Sequence, residues 1–411
     1  VHRPRGIFKG IKMALRIGLL LLTAWGAAAP APAAASPAED AQQIYQRSAA
    51  SLYNLDFNAA RQGFEGLTRE YPDNPEYWNA VASSVWLKIL YDQQKLNIES
   101  YSGSTFGTKS SKDAIDPAEE KKLREIVGIA MKKAQGAIDK NPKDVRALYA
   151  LGIAHATIAS FEGTAKRAYF AAYGQAKTAR NLHQQVLKLD PNFDDARLAV
   201  GIYNYVVGVI PGYIRILLAP FGVRGEGKEV GIRQIETAAA KGKQVSTDAK
   251  MILVVIYNRE KKHDQALQLI EELHAKYPRN FLFELAKASI FGKMKKWDQA
   301  LQTYQQVARK TESSIDGYDR LRAEPVHYEI GRTQIELHKE DDAVLSFSKV
   351  VAGARATPDE KAQAHLWMGR VFDAKKDRKR ALQHYNAVTG LDCDAEWKKE
   401  AEAYKRKPYG A

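Results

Sequence analysis

Cysteine is nearly absent from this chain: Cys393 is the single thiol among 411 residues. One cysteine forms no intramolecular disulfide and no thiolate metal cluster, so an oxidising compartment is tolerated without being used for cross-linking. The nine histidines include no pair four residues apart, the spacing that puts two imidazoles on one helix face as metal ligands. Gly222, Gly225 and Gly227 lack the Lys-Ser/Thr that completes a phosphate-cradling loop, and no G-x-S-x-G elbow is present. His183, His327 and His365 fall at helix-packing positions. These absences predict a protein that is not an enzyme and uses no cofactor or metal.

Acids are missing from the first 35 residues, which carry Arg3, Arg5, Lys9, Lys12 and Arg16 ahead of the apolar stretch 17–25 and the small residues 27–35. Basic, apolar and small-residue regions in that order read as a secretory signal peptide. Pro30 and Pro32 follow too soon for a spanning helix of roughly 20 residues. Residues 1–35 are therefore expected to be removed after Ala35, leaving a periplasmic or secreted protein. Met13 to Ala35 makes a complete signal by itself, and the lack of cysteine near the site excludes a lipidated leader. Without those five cations, 57 Lys and Arg face 48 Asp and Glu, a basic surplus that suits acidic partners.

What is present is a repeat. Asp264-Gln-Ala-Leu-Gln-Leu-Ile-Glu-Glu-Leu returns 34 residues later as Asp298-Gln-Ala-Leu-Gln-Thr-Tyr-Gln-Gln-Val. Within each such segment a small residue is followed by a large one at i+4 and an apolar one at i+7. Ala60, Phe64, Leu67; Ala130, Ala134, Ala137; Ala179, His183, Val186; and Gly231, Ile235, Ala238 fit this grammar. So do Ala266, Ile270, Leu273; Ala300, Tyr304, Val307; Ala343, Phe347, Val350; and Ala381, Tyr385, Val388. Pro72, Pro142, Pro191 and Pro278 close units, and Gly152, Gly331 and Gly369 hold the small position of the preceding helices. Ser36-Pro-Ala-Glu39 and Thr357-Pro-Asp-Glu360 read as capping boxes and Asp116-Pro117 as another helix start.

The period of 34 and these positions resemble the tetratricopeptide (TPR) family over nearly the whole mature chain. The resemblance implies an all-α fold, a TPR superhelical solenoid of about eight helix pairs over residues 36–394. Residues 395–411 are expected to form a capping helix and tail. Departures from the period predict insertions near 92–116, 161–175, 205–227 and 310–325. A narrower resemblance rests on Gly201-Ile-Tyr-Asn-Tyr, Ile210-Pro211, Phe221-Gly222 and Gly231. Across about residues 145–310 these are similar to the inclusion-body-clearance TPR proteins and their bacterial relatives, which implies an apolar insertion and no catalytic residues. Gly225-Glu226 departs from the Gly-Asp usual there.

Function is expected on the groove face of the first helices. Unlike TPR domains that grip acidic tails with Lys, Asn and Arg, this chain has Tyr149, Ile153, Leu198, Ile202, Met251, Val255 and Leu285 there, so the middle groove is apolar. Toward the C-terminus the positions become Tyr328, Arg332, Leu366 and Arg370, which suit a more acidic partner. The leading expectation is a scaffold that binds a protein or extended peptide in this groove. The alternative is peripheral membrane or lipid contact through the apolar insertion, with Tyr205, Ile210, Pro211, Tyr213, Leu217 and Phe221 as its candidates; burial of that segment in the groove is favoured over exposure. Basic runs lie at turns, and with export they predict no nucleic-acid partner.

Overall fold

A computed structural model describes residues 37–96, 115–212, 216, 219 and 223–410, with side chains from Asp40 onward. The signal region, the Ser36 capping box, most of the 92–116 insertion, and Tyr213, Leu217 and Phe221 lie outside the described residues. The described residues form seventeen α-helices and no strand. They are α1 (Pro37–Tyr53), α2 (Phe57–Glu70), α3 (Pro75–Asp92), α4 (Pro117–Lys140), α5 (Val145–Thr164) and α6 (Tyr169–Leu189). Next come α7 (Arg197–Gly208), α8 (Lys228–Lys241), α9 (Ser246–Arg259), α10 (His263–Lys276), α11 (Phe281–Lys293) and α12 (Trp297–Glu312). The series ends with α13 (Ala323–Glu336), α14 (Glu340–Ala352), α15 (Pro358–Ala374), α16 (Arg378–Gly390) and α17 (Ala395–Arg406). In sequence these are eight successive pairs and a terminal helix. None of the described helices is long and apolar enough to cross a membrane.

The described residues divide into two compact units, one of residues up to 269 and the other of residues from 270 onward. In both, the repeat positions read from the sequence are the core. Ala60, Phe64, Ala179, His183, Ile235, Ala300, Phe347, Ala381 and Tyr385 are all buried. The small residue of a first helix receives the large residue of the second. A Cβ on Gly152 would meet the His183 ring at 2.3 Å, one on Gly331 the Phe347 ring at 2.7 Å, and one on Gly369 the Tyr385 ring at 2.4 Å. The capping box at Thr357 is formed in full, and Asp116 caps α4 ahead of Pro117.

In the first unit the 161–175 departure lengthens α5 and α6. Phe161 is buried edge-on against Trp86, and Tyr173 packs on Tyr203, whereas Phe170 is 90% exposed. At the described flanks of the 205–227 segment, Tyr205 and Val207 are buried within α7, and Ile210 and Val223 pack against it as core. Asn204 binds them down, its amide donating to Glu226 (3.2 Å) and Gln234 (2.9 Å) while its carbonyl accepts from the Glu226 N–H (3.1 Å). Gly227 takes φ 101° to start α8, a region where a side chain is strained. In the second unit the 310–325 departure is a packed connector: buried Tyr318 lies against Phe281 and donates to Glu284 at 2.5 Å.

The first unit also closes on itself. The Tyr53 hydroxyl, at the end of α1, lies close enough to Asp248 in the first turn of α9 to favour its carboxylate, and Tyr45 lies within electrostatic reach of Glu76, Asp195 and Asp248. All five residues are buried. Burial pushes the Asp248 carboxyl well above the ordinary aspartate range, and the Tyr53 hydroxyl offsets this only in part. Because the folded state holds this proton more tightly than the unfolded chain, Asp248 subtracts stability as pH rises from the ordinary aspartate value toward the raised one. The slope reaches about 1.4 kcal/mol per pH unit. Asp248→Asn, which keeps shape and removes ionisation, should unfold at higher urea than the parent at pH 7.5, with the gap narrowing toward pH 4. A gap independent of pH would show that Asp248 does not titrate this way.

Candidate functional site

The groove residues expected in the first unit are not surface. Tyr149, Ile153, Leu198 and Ile202 are all buried, while Met251 and Val255 are half-buried. Tyr149 stacks on His183 (centroids 5.0 Å, 24°), abuts Phe193 at 4.8 Å and lies within electrostatic reach of Tyr45 on α1. The apolar positions are thus satisfied by the chain itself, which is the correction to reading them as partner contacts. His183 is structural as its position implied: Nε2 lies 3.2 Å from the Tyr149 carbonyl, and burial pushes its pKa down to about 4. Tyr205 and Ile210, candidates for lipid contact only in the alternative reading, are buried, and Pro211 is half-buried.

The second unit does hold an open site. A cavity of about 570 Å³ is lined by α11, α13, α15, the start of α12 and Trp397 of α17. Such a volume falls within the usual range for ligand pockets. Arg332 and Arg370, the two cations expected here, both lie over the Trp367 indole, at 4.3 and 4.5 Å from its centroid. Trp367 is itself fixed, its N–H donating to the Tyr328 hydroxyl at 3.1 Å and its ring parallel to Phe347. Tyr328 and Leu366, expected as contact residues, are largely buried, and they form the cavity's floor.

Arg370 is ion-paired with Glu400. Burial works against its charge, but Glu400 and Tyr404 outweigh that and raise its pKa. The Nε atoms of Arg332 and Arg370 are buried and have no hydrogen-bond partner among the described residues. A buried N–H of a charged guanidinium without an acceptor costs roughly 1–3 kcal/mol or more, a cost that the stacked Trp367 indole offsets in part. Glu329 and Glu336 line the same cavity beside Lys293, giving it both signs along its length.

Sequence reasoning reached the arginines and missed the tryptophans. Gln363, Leu366, Trp367 and Arg370 are spaced i, i+3, i+4, i+7, as are Glu329, Arg332, Thr333 and Glu336. Each set is one helix face, so extending the groove positions by one residue finds Trp367. Trp297 and Trp397 come from helices outside that pattern.

The family model describing Iml2/Tetratricopeptide repeat protein 39 matches residues 143–317, nearly the span that carries the Gly201–Gly231 motif. No curated protein matches this chain. Among solved structures, the human IFIT1 dimer with m7Gppp-AAAA is 13% identical, covering 97% of this chain and 85% of its own at a TM-score of 0.40. Yeast Tom70 is 14% identical over 90% of this chain and 88% of its own, with a TM-score of 0.35. A thermophilic TPR protein in Thermus thermophilus is 16% identical over 61% of this chain and 98% of its own, with a TM-score of 0.33.

If indole stacking holds the arginines, a double-mutant cycle of Arg332→Met and Trp367→Leu should give a coupling of about 0.5–1 kcal/mol in unfolding free energy. Additive losses would mean that Arg332 is positioned by something else.

Proposed function

We propose that this chain is a tetratricopeptide-repeat protein acting as an exported, non-enzymatic scaffold whose second unit binds a protein partner through an extended, acid-bearing segment. The observation that carries this reading is the pair of guanidinium groups stacked over Trp367 in the open cavity. An Asp or Glu side chain laid along α13 and α15 meets the positive charge of this pair, and Trp297, Trp367 and Trp397 offer apolar area beside it. Charge-assisted bonds of this kind are about twice as strong as neutral ones. A prearranged groove leaves the ordering cost to the peptide alone. Export is proposed from the basic, apolar and small-residue order of residues 1–35.

A second reading, peripheral membrane contact, has one observation in its favour: Phe170 and Ile216 are 90% and 75% exposed. The burial of Tyr205 and Ile210 weighs against it, and absence of flotation with anionic liposomes would remove it.

The leading reading is tested with an array of immobilised linear decapeptides. Sequences with Asp or Glu beside an apolar residue should be enriched, and Arg332→Gln should weaken them about tenfold, equivalent to about 1.4 kcal/mol. Equal retention of acidic and basic peptides, or retention indifferent to Arg332→Gln, would count against the reading. Competition by a single-stranded oligonucleotide in place of peptide would redirect the site toward nucleic acid.

A further inference from the structure

Three of the five tryptophans among the described residues already donate their indole N–H groups. Trp78 donates to the Pro72 carbonyl at 2.9 Å, Trp86 to the Ser160 hydroxyl at 3.0 Å and Trp367 to the Tyr328 hydroxyl at 3.1 Å. The other two, Trp297 and Trp397, donate to no acceptor among the described residues, and both line the cavity of the second unit. Each is held in place. Trp297 lies against α11, where a Cβ on Gly292 would meet its ring at 3.2 Å, and Trp397 packs against the hydrophobic core built by α13 to α17. Tyr304 and Tyr328 add to the aromatic lining.

An indole N–H in an open groove calls for an acceptor that the ligand's main chain leaves free, and peptide conformations differ in this. A helical ligand uses its carbonyls on its own N–H groups. A β-strand needs a main-chain edge to pair with, and helices offer side chains instead. Polyproline II leaves every carbonyl unpaired. Reach agrees with this choice. Three steps between first helices separate α11 from α17, roughly 8–10 Å each, and about eight to ten residues of polyproline II cover that distance at about 3.1 Å per residue. Resting on the acid-binding reading of this groove, we propose that the bound segment is proline-rich, with one acid at Arg332 and Arg370 and main-chain carbonyls accepting from Trp297 and Trp397. The pyrrolidine ring offers a flat apolar face to an indole, and its fixed φ lowers the ordering cost that falls on the peptide. Glu329 and Glu336 in the same lining oppose a run of acids, so a single acid among prolines suits the site better than an acidic tract.

The probes are three fluorescein-labelled nonapeptides: one with prolines spaced around a single glutamate, the same peptide with alanine for each proline, and the proline peptide with lysine for glutamate. In anisotropy titrations of the full chain, the peptide with both proline and glutamate should bind about tenfold tighter than either of the others. Trp297→Phe and Trp397→Phe keep a ring and remove the N–H, and each should cut the proline preference about threefold, the worth of one neutral hydrogen bond. Arg332→Gln should weaken both glutamate peptides alike and leave that preference in place. Equal affinity for the proline and alanine peptides overturns the proline assignment while the acid reading stands. Equal affinity for the glutamate and lysine peptides, or no saturable binding of any, overturns the acid reading and the proposal with it. The parent chain alone separates these outcomes, whatever the folding of the variants. A proline preference untouched by both Phe substitutions overturns the indole donors as its cause.

Discussion

The close approach of two helices within a pair is the constraint on which the rest of this structure depends. A glycine or alanine on one helix leaves room for a ring or branched chain from the other. The fit is tight enough that a single methyl at Gly152, Gly331 or Gly369 would enter the facing side chain. Where α7 and α8 cross, the approach reaches the backbone: a Cβ on Gly231 would come within 2.4 Å of the Tyr205 nitrogen, and one on Gly201 within 2.8 Å of the Gly231 carbonyl. Gly201 and Gly231, two of the glycines in the narrower family resemblance, are therefore packing devices. Their spacing in sequence is the spacing of helix crossings.

Successive pairs are joined by a second device. A carboxylate at the start of a first helix reaches the start of the next one. Glu76 makes a bidentate pair with Arg146 (2.8 and 2.7 Å), and Asp195 accepts from the Gln244 and Val245 N–H groups. Glu324 accepts from the Arg355 N–H and Asp359 from that of Asp394. All but the Glu76 pair satisfy backbone donors just ahead of the next first helix, and together they fix the step from one pair to the next within a unit. The turn between the two helices of a pair is equally regular. Leu55, Gln94, Lys261, Lys295, His338 and Lys376 each take a positive φ near 60°. That conformation is unfavourable for such residues and is imposed by the packing on either side.

Helix positions, the core set and the Thr357 capping box were legible because they follow local period and local chemistry. What could not be read was direction in three dimensions. Tyr149 and Leu198 occupy groove positions in the repeat, yet α1 reaches Asp248 and the unit's interior is filled by its own tyrosines. A contact spanning nearly 200 residues leaves no trace in a 34-residue period. The carboxylate ties were invisible for a related reason, since their acceptors and donors alternate among Asp, Glu, Arg and main-chain N–H.

The two units put the same repeat to different use, and the difference follows from what fills the inner face. In the first unit the face is aromatic and acidic, and burial has raised the pKa values of Glu76, Asp195 and Asp248. A face whose carboxylates are withdrawn from water favours closure by neutral hydroxyls, which α1 supplies. In the second unit the corresponding helices carry Arg332 and Arg370, whose charge persists at any physiological pH and resists burial by an apolar helix. An indole is the one uncharged surface that both guanidinium groups can cover without losing their attraction to an anion, and Trp367 provides it. The cavity remains open for the reason the first unit's interior is closed: arginine cannot shed its charge to be buried, whereas a carboxyl group can.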